Sequence, residues 1–171
     1  MRILLLGHSL IEFGDWGQLL PGHDVVSLGR AGETTSGLLG RLDRAVRDNL
    51  EVDAVAVMSG TNDLLAGDGS FLHEYRLVAR RLRRAYPRAT IVLHGLLPIS
   101  AEWIDPGAIA TANGEIARIG AETGVTFLDL SDRFADREGR LRAALYDADG
   151  VHLSEQGYRV WAASLKEALG A

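Results

Sequence analysis

The feature of this sequence that most constrains its fold is the alternation of short apolar segments with longer segments of helical periodicity. The apolar segments are Ile3 to Leu6, Val25 to Leu28, Ala54 to Met58, Thr90 to Leu93 and Val125 to Leu128. The helical segments are Thr35 to Asn49, Ser70 to Tyr86, Pro106 to Glu122 and Ser154 to Leu169. Strands that are apolar at nearly every position are covered on both faces. The pattern therefore predicts an α/β protein with a doubly wound, parallel five-stranded sheet and helices on either side.

Local signals support several of these boundaries. Ser154 followed by Glu155 suits a helix start, Pro106 fits a first helical turn, and Gly124 fits a helix stop. The chain contains no internal repeat or linker, and 171 residues are enough to bury a core of their own. We therefore expect residues 1–171 to form a single domain.

Composition excludes several classes of function. The absence of cysteine excludes disulfides, thiolate metal sites and a cysteine nucleophile. A net charge of −5, from 18 Lys and Arg against 23 Asp and Glu, argues against a nucleic-acid partner. Of the five histidines, His23, His73 and His94 lie apart in the sequence and have no ligand spacing, so we expect no metal site. The apolar run from Ile3 to Leu6 is too short for a signal peptide or a membrane span, which makes the cytoplasm the default location.

Glycines and polar residues follow the predicted strands at their carboxyl ends, where open α/β sheets bind ligands. The segments at this edge are Gly7 to Ser9, Gly29 to Gly32, Ser59 to Asp63, Gly95 to Ser100 and, before the last helix, Asp149 to His152. We therefore expect the functional residues to lie at this edge of the sheet.

Five residues at this edge fit the requirements of acyl transfer by serine, which needs a hydroxyl, a base, a group that orients the base, and oxyanion donors. Ser9 follows a buried strand and a glycine, His152 lies in a loop, and Asp149 precedes His152 by three residues. The Gly32 backbone N–H and the Asn62 amide can serve as donors. Taken singly, each residue also has an ordinary interpretation as a helix cap, a turn residue or an exposed bystander.

Four motifs, taken in order, resemble the conserved blocks of the GDSL or SGNH hydrolases. They are Gly7 to Leu10, Gly29 to Thr34, Gly60 to Asp63 and Asp149 to His152, and the resemblance extends from residue 2 to about residue 160. Each block alone is a weak signal, whereas four in order at strand ends are a strong one. The resemblance implies a three-layer α/β/α sandwich with a flavodoxin-like sheet.

The resemblance also implies a serine esterase that needs no cofactor. Ser9 would be the nucleophile, His152 the general base and Asp149 the group that orients it. The backbone N–H groups of Ser9 and Gly32 and the side chain of Asn62 would form the oxyanion hole. Gly29 is interpreted as turn geometry only.

His8 departs from the resemblance, because an aspartate usually follows the first-block glycine. We expect His8 to hydrogen-bond a neighbouring loop or to contact the substrate. Trp103 and Ile104, in the loop after the fourth strand, are candidates for lining an acyl or sugar site, with simple packing as the alternative. The expected partner is a small-molecule ester, with a short acyl group such as acetyl on a sugar or small alcohol. Thioesters and lysophospholipids remain open, as does the oligomeric state.

Other interpretations have less support. The first block lacks the closing glycine of the G-x-S-x-G elbow, and no nucleotide-binding glycine motif is complete. A calcium loop centred on Gly150 would place Leu145 and Gln156 where carboxylates are needed. A non-catalytic binding module on the same fold remains the main alternative, and a flavodoxin-like receiver or electron carrier is a weaker one.

Overall fold

Five parallel strands form one sheet in the computed structural model, which describes residues 1–170. The strands are β1 (Arg2–Gly7), β2 (Asp24–Gly29), β3 (Ala54–Met58), β4 (Thr90–His94) and β5 (Thr126–Leu128). Their spatial order is β2-β1-β3-β4-β5, and Ile3 of β1 pairs with Val25 on one side and Ala54 on the other. This order is the flavodoxin-like one, which confirms the predicted doubly wound parallel sheet.

Long helices connect or follow the strands, and short helices lie between them. Within residues 1–170 the α-helices are α1 (Ser9–Glu12), α2 (Trp16–Leu19), α3 (Thr35–Asp48), α4 (Thr61–Leu65), α5 (Leu72–Ala85), α6 (Pro106–Thr123), α7 (Ser131–Phe134) and α8 (Glu155–Leu169). A 3-10 turn spans Ala143–Leu145. The four long helices were predicted, whereas the helices of four or five residues are too short to show a periodicity.

The sheet separates two apolar cores, because alternate residues of a strand face opposite sides. In β1, Leu4 and Leu6 face the core built with α3, α5 and α6. Ile3 and Leu5 face the core built with α1, α2 and α8. The molecule is therefore a three-layer α/β/α sandwich, as the resemblance implied.

Several predicted boundaries are confirmed, and two expectations are corrected. Ser154 caps α8 by accepting the Gly157 N–H at 3.2 Å, and Gly124 ends α6 in the left-handed region. Helix α5 begins at Leu72 rather than Ser70, because the Asp68 carboxylate accepts the Ser70 N–H and hydroxyl and holds a turn there. The expectation that every strand is covered on both faces was wrong for β2 and β5, which are the two edge strands and are only partly buried.

Candidate active site

Ser9 is the first residue of α1, directly beyond the carboxyl end of β1. His8 caps this helix by accepting the Leu10 N–H at 3.4 Å, so the Ser9 hydroxyl is not needed as a cap. The Ser9 hydroxyl instead lies 2.9 Å from the Nε2 atom of His152. Its backbone N–H lies at the amino terminus of a helix, where N–H groups have no intrahelical acceptor.

His152 and Asp149 are held together by one tight loop before α8. Asp149 Oδ2 lies 2.6 Å from His152 Nδ1, while Oδ1 accepts the N–H groups of Val151 and His152 at 2.9 Å each. These bonds, the one to the His152 ring first, hold the pKa of Asp149 down to about 2. A carboxylate can only accept, so the Nδ1 atom of His152 carries the hydrogen and Nε2 is left to accept a proton from Ser9.

This loop is tied to the rest of the sheet edge. The Ser100 N–H donates to the Gly150 carbonyl at 2.9 Å, and the Asp147 N–H donates to the His152 carbonyl at 2.9 Å. The Tyr158 hydroxyl, on α8, donates to the Leu10 carbonyl of α1 at 3.0 Å. The chain therefore brings Ser9 and His152 together although 143 positions separate them.

Gly32 lies in the exposed turn between β2 and α3, with φ +74°, a conformation that a glycine adopts without steric cost. The neighbouring Arg30 N–H donates to the Gly7 carbonyl at 2.9 Å, and the Ala31 N–H donates to the Glu12 carboxylate of α1. The Gly32 turn is therefore fixed to both ends of the segment that carries Ser9.

Asn62 connects the third block to this turn. Its Nδ2 donates to the Glu33 carbonyl at 3.0 Å, one residue beyond Gly32. An amide has two N–H donors, so this bond leaves one for a ligand. The structure thus brings the second and third blocks together at the edge that also carries Ser9.

Two contacts that the sequence did not reveal, one partly buried and one buried, hold this arrangement in place. Arg41 of α3 forms a bidentate pair with Glu33, with both N···O distances 2.6 Å, and also donates to the Leu28 carbonyl of β2 at 2.6 Å. Asp63 accepts the Thr35 N–H at 3.0 Å and the Thr35 hydroxyl at 3.1 Å, and burial raises the pKa of this carboxyl. The spacing of Glu33 and Arg41 gives no signal, because their meeting depends on how the turn enters α3.

The structure corrects the interpretation of Gly29, which is more than a turn residue. A Cβ on Gly29 would lie 2.2 Å from the backbone nitrogen of Glu12. Only glycine therefore lets β2 pass this close to α1, the helix that carries Ser9.

The expected substrate contact of His8 is also corrected, because the side chain is 1% exposed. Its ring caps α1 from within the core rather than facing an open site. Burial, and to a lesser degree the nearby His152, lower the pKa of His8 to about 4. Since Nδ1 accepts the Leu10 N–H, the hydrogen is on Nε2, which has no hydrogen-bond partner among residues 1–170.

Trp103 and Ile104 occupy different surroundings from each other. Trp103 is 72% exposed, and its Nε1 donates to the Leu65 carbonyl at 3.3 Å, at the end of α4. Ile104 is half-buried and lines a hollow with residues of segments 98–110 and 131–141, which contains neither Ser9 nor His152. The structure therefore does not bring Ile104 to the candidate site.

Phe13 is a site residue that the sequence interpretation missed. It is 56% exposed, and its ring centroid lies 5.3 Å from that of His152. Phe13 follows Ser9 by four residues, and that one-turn spacing is the signal that could have identified it. Phe13 and His152 border a cleft between α2 and α8 of about 880 Å³.

A family model and individual proteins resemble this chain over most of its length. The model of the GDSL-like lipase/acylhydrolase family matches residues 9–160. Platelet-activating factor acetylhydrolase IB subunit alpha1 of Rattus norvegicus is 23% identical over 167 residues, which cover 92% of this chain and 70% of that protein.

Solved structures share the fold. A Streptococcus pneumonia protein provisionally named a platelet-activating factor is 27% identical, with a TM-score of 0.87 over 98% of this chain and 83% of its own. An acetyl xylan esterase from Geobacillus stearothermophilus is 23% identical, with a TM-score of 0.76 over 99% of this chain and 94% of its own. The three-layer fold and the sequence family therefore agree.

Proposed function

This chain belongs to the GDSL-like lipase/acylhydrolase family and is a carboxylic ester hydrolase, and from that premise we propose that it is a serine esterase with Ser9, His152 and Asp149 as its catalytic triad. One observation carries the proposal. A continuous hydrogen-bond chain runs from Ser9 Oγ to His152 Nε2 at 2.9 Å and from His152 Nδ1 to Asp149 Oδ2 at 2.6 Å. A module that only binds a ligand has no need of that chain.

The acylation step follows from these distances. Ser9 Oγ attacks the ester carbonyl carbon while His152 Nε2 takes the hydroxyl proton. The ionised Asp149 stabilises the imidazolium that forms. Negative charge then develops on the carbonyl oxygen, which accepts hydrogen bonds from the N–H groups of Ser9 and Gly32 and from the Asn62 amide.

Collapse of this intermediate breaks the bond to the alcohol. The protonated His152 gives its proton to the departing oxygen, and an acyl group remains on Ser9. Water, deprotonated by His152, attacks the acyl-enzyme, and the acid leaves as Ser9 regains its proton. The cycle requires no cofactor.

We infer that the acyl group is short, with acetyl esters of a sugar or small alcohol as the substrates. Relatives named an acetylhydrolase and an acetyl xylan esterase support an acetyl group. This part of the proposal is independent of the triad and is tested separately.

The test is hydrolysis of nitrophenyl acetate and of longer nitrophenyl esters by the wild type and by Ser9→Ala. We expect Ser9→Ala to lose at least about 10³-fold in kcat, because removing the nucleophile leaves only binding and oxyanion contacts. We expect the wild type to prefer acetate.

The matched control is Ser164→Ala, which removes a buried hydroxyl bonded to the Val160 carbonyl within α8. This variant should retain wild-type kcat. Equal rates for Ser9→Ala and wild type would overturn the triad, and equal cleavage of acetyl and long-chain esters would overturn the acetyl preference.

A further inference from the structure

We propose that the cleft between α2 and α8 binds the leaving alcohol of the ester, that Phe13 determines specificity there, and that this alcohol is polyhydroxylated, as a sugar is. This inference rests on the proposed esterase function. It adds the position of a subsite and the chemistry of its ligand.

The cleft reaches the candidate triad at His152, which is one of its lining residues. Its volume of about 880 Å³ lies within the roughly 300–1,000 Å³ that small-molecule sites occupy. His152 and Phe13 line it next to each other, with ring centroids 5.3 Å apart, while Leu19 and Gln18 belong to α2 and Ala163 to α8. A ligand held there would meet the imidazole directly.

The two layers of the fold decide which part of the ester enters this cleft. The oxyanion candidates Gly32 and Asn62 lie beside α3 and α4, on the side of the α3–α5–α6 core. His152 instead leads into α8, on the opposite face of the sheet. Because His152 must protonate the departing oxygen, that oxygen lies within hydrogen-bond reach of Nε2. The alcohol therefore extends toward α8, away from the oxyanion.

The lining of the cleft suits a sugar. The exposed Phe13 ring offers an apolar face on which the C–H face of a pyranose can pack. The same cleft is also lined by hydrogen-bonding side chains, which are Asp15, Gln18, Asp147, Glu155, Arg159 and Lys166. Such convergent polar groups around an aromatic surface can pair with several hydroxyls of one ligand.

The charges of the cleft disfavour a phosphate-bearing alcohol. Three carboxylates line it against two cations, and one of those cations, Arg159, is paired with Glu155. Only Lys166 is then left to balance Asp15 and Asp147. A neutral polyhydroxylated alcohol meets no repulsion there, whereas an anionic phosphate would.

The test compares two acetyl esters that differ only in the alcohol: an acetylated methyl pyranoside and ethyl acetate. Ethanol is too small to fill the cleft, so contacts with the cleft contribute to only one of the two reactions. We expect Phe13→Ala to reduce kcat/KM for the pyranoside ester at least tenfold more than for ethyl acetate. Ala163→Trp, which narrows the cleft from the α8 side, should also lower the ratio of kcat/KM for the pyranoside ester to kcat/KM for ethyl acetate. Phe13→Tyr, which keeps an aromatic ring, should retain the wild-type ratio.

The control variant is Leu50→Ala, because Leu50 is also an exposed apolar residue, 72% exposed, but precedes β3 at the opposite edge of the sheet. It should leave both rates at their wild-type values.

An unchanged pyranoside-to-ethyl ratio in both Phe13→Ala and Ala163→Trp would overturn the subsite. A change in the acetyl-to-butyryl ratio of ethyl esters instead would make the cleft an acyl site. Faster cleavage of a lysophospholipid acetate than of the pyranoside would overturn the polyhydroxylated ligand. If the wild type does not hydrolyse ethyl acetate, the proposed esterase function itself is wrong.

Discussion

Ser9 serves two parts of the proposed chemistry from one position. As the first residue of α1, it directs its hydroxyl to His152 and leaves its N–H at a helix terminus. His8 makes this possible, because its imidazole takes the capping role that a serine often has. The substitution of histidine for the usual aspartate therefore preserves a hydrogen-bond acceptor next to the nucleophile.

Asn62 donates one amide N–H to the Glu33 carbonyl, and in the proposed mechanism its second N–H stabilises the oxyanion. We expect Asn62→Ala to lower kcat by about 10² to 10³. KM should change by less than about threefold, because the oxyanion forms only in the transition state. Steady-state kinetics on nitrophenyl acetate measures both constants.

The control for this prediction is Asn49→Ala. The Asn49 amide also donates to a backbone carbonyl, that of Ala45 at 3.0 Å, but at the far end of α3. This variant should lose stability without losing kcat. A similar fall in kcat for both variants would mean that Asn62 acts through folding rather than through the oxyanion.

Helix α3 is joined to the turn that carries Gly32 through the pair of Arg41 and Glu33. The side chains are only 12% and 9% exposed, and Arg41 also reaches the carbonyls of Leu28 and Gly7, at the ends of β2 and β1. One guanidinium thus joins two strand ends, a helix and the turn that carries Gly32. The geometry of the turn depends on this contact.

We expect Arg41→Met to lower the free energy of unfolding by about 3 kcal/mol, because it leaves the Glu33 carboxylate nearly buried and unpaired. It should also lower kcat roughly tenfold or more, since small displacements of a catalytic group are costly. Urea unfolding and nitrophenyl acetate kinetics measure the two effects.

Arg44→Met, on the same helix, is the control. Arg44 pairs with Asp48 at 3.5 Å with both side chains exposed, and such pairs contribute at most about 0.5 kcal/mol. If the two arginine variants had the same kcat and the same stability, the proposal that Arg41 stabilises the turn carrying Gly32 would be wrong.

Two buried histidines make the stability of the whole molecule depend on pH. His94 packs against Trp161, and its Nδ1 donates to the Val57 carbonyl at 3.1 Å, while burial lowers its pKa to about 4. His8 has a similarly lowered pKa. Unfolding restores the ordinary value near 6.5, so between pH 6.5 and 4 the unfolded chain binds more protons than the folded one.

Stability therefore falls as the pH decreases through this range, by up to about 1.4 kcal/mol per pH unit for each histidine, and the contribution levels off below pH 4. We expect His94→Gln to reduce this slope by about 1 kcal/mol per pH unit. Urea unfolding at pH 7, 6, 5 and 4.5 provides the measurement. His73→Gln, at an exposed position of α5, should keep the wild-type slope. A His94→Gln slope equal to that of wild type would refute the buried-histidine explanation.

Local sequence pattern is enough to predict the layers of the fold and the main candidates for the site. Apolar strands and long amphipathic helices leave a periodic trace, and the site residues follow strand ends, so both can be located from local pattern. Helices α1, α2 and α4 left no such trace, because four or five residues make little more than one helical turn and a period cannot repeat within one turn.

The tertiary structure alone decided which residues meet at the edge of the sheet. The approach of Arg41 to Glu33, the burial of His8, the separation of Ile104 from Ser9 and the position of Phe13 against His152 all depend on packing between elements. Local sequence sets the backbone preference and polarity of each segment. The distances between side chains of different segments, and their burial, are set only when the two helical layers pack against the sheet. For that reason the candidate residues of this site could be predicted from the sequence, whereas their supporting contacts and the cleft could not.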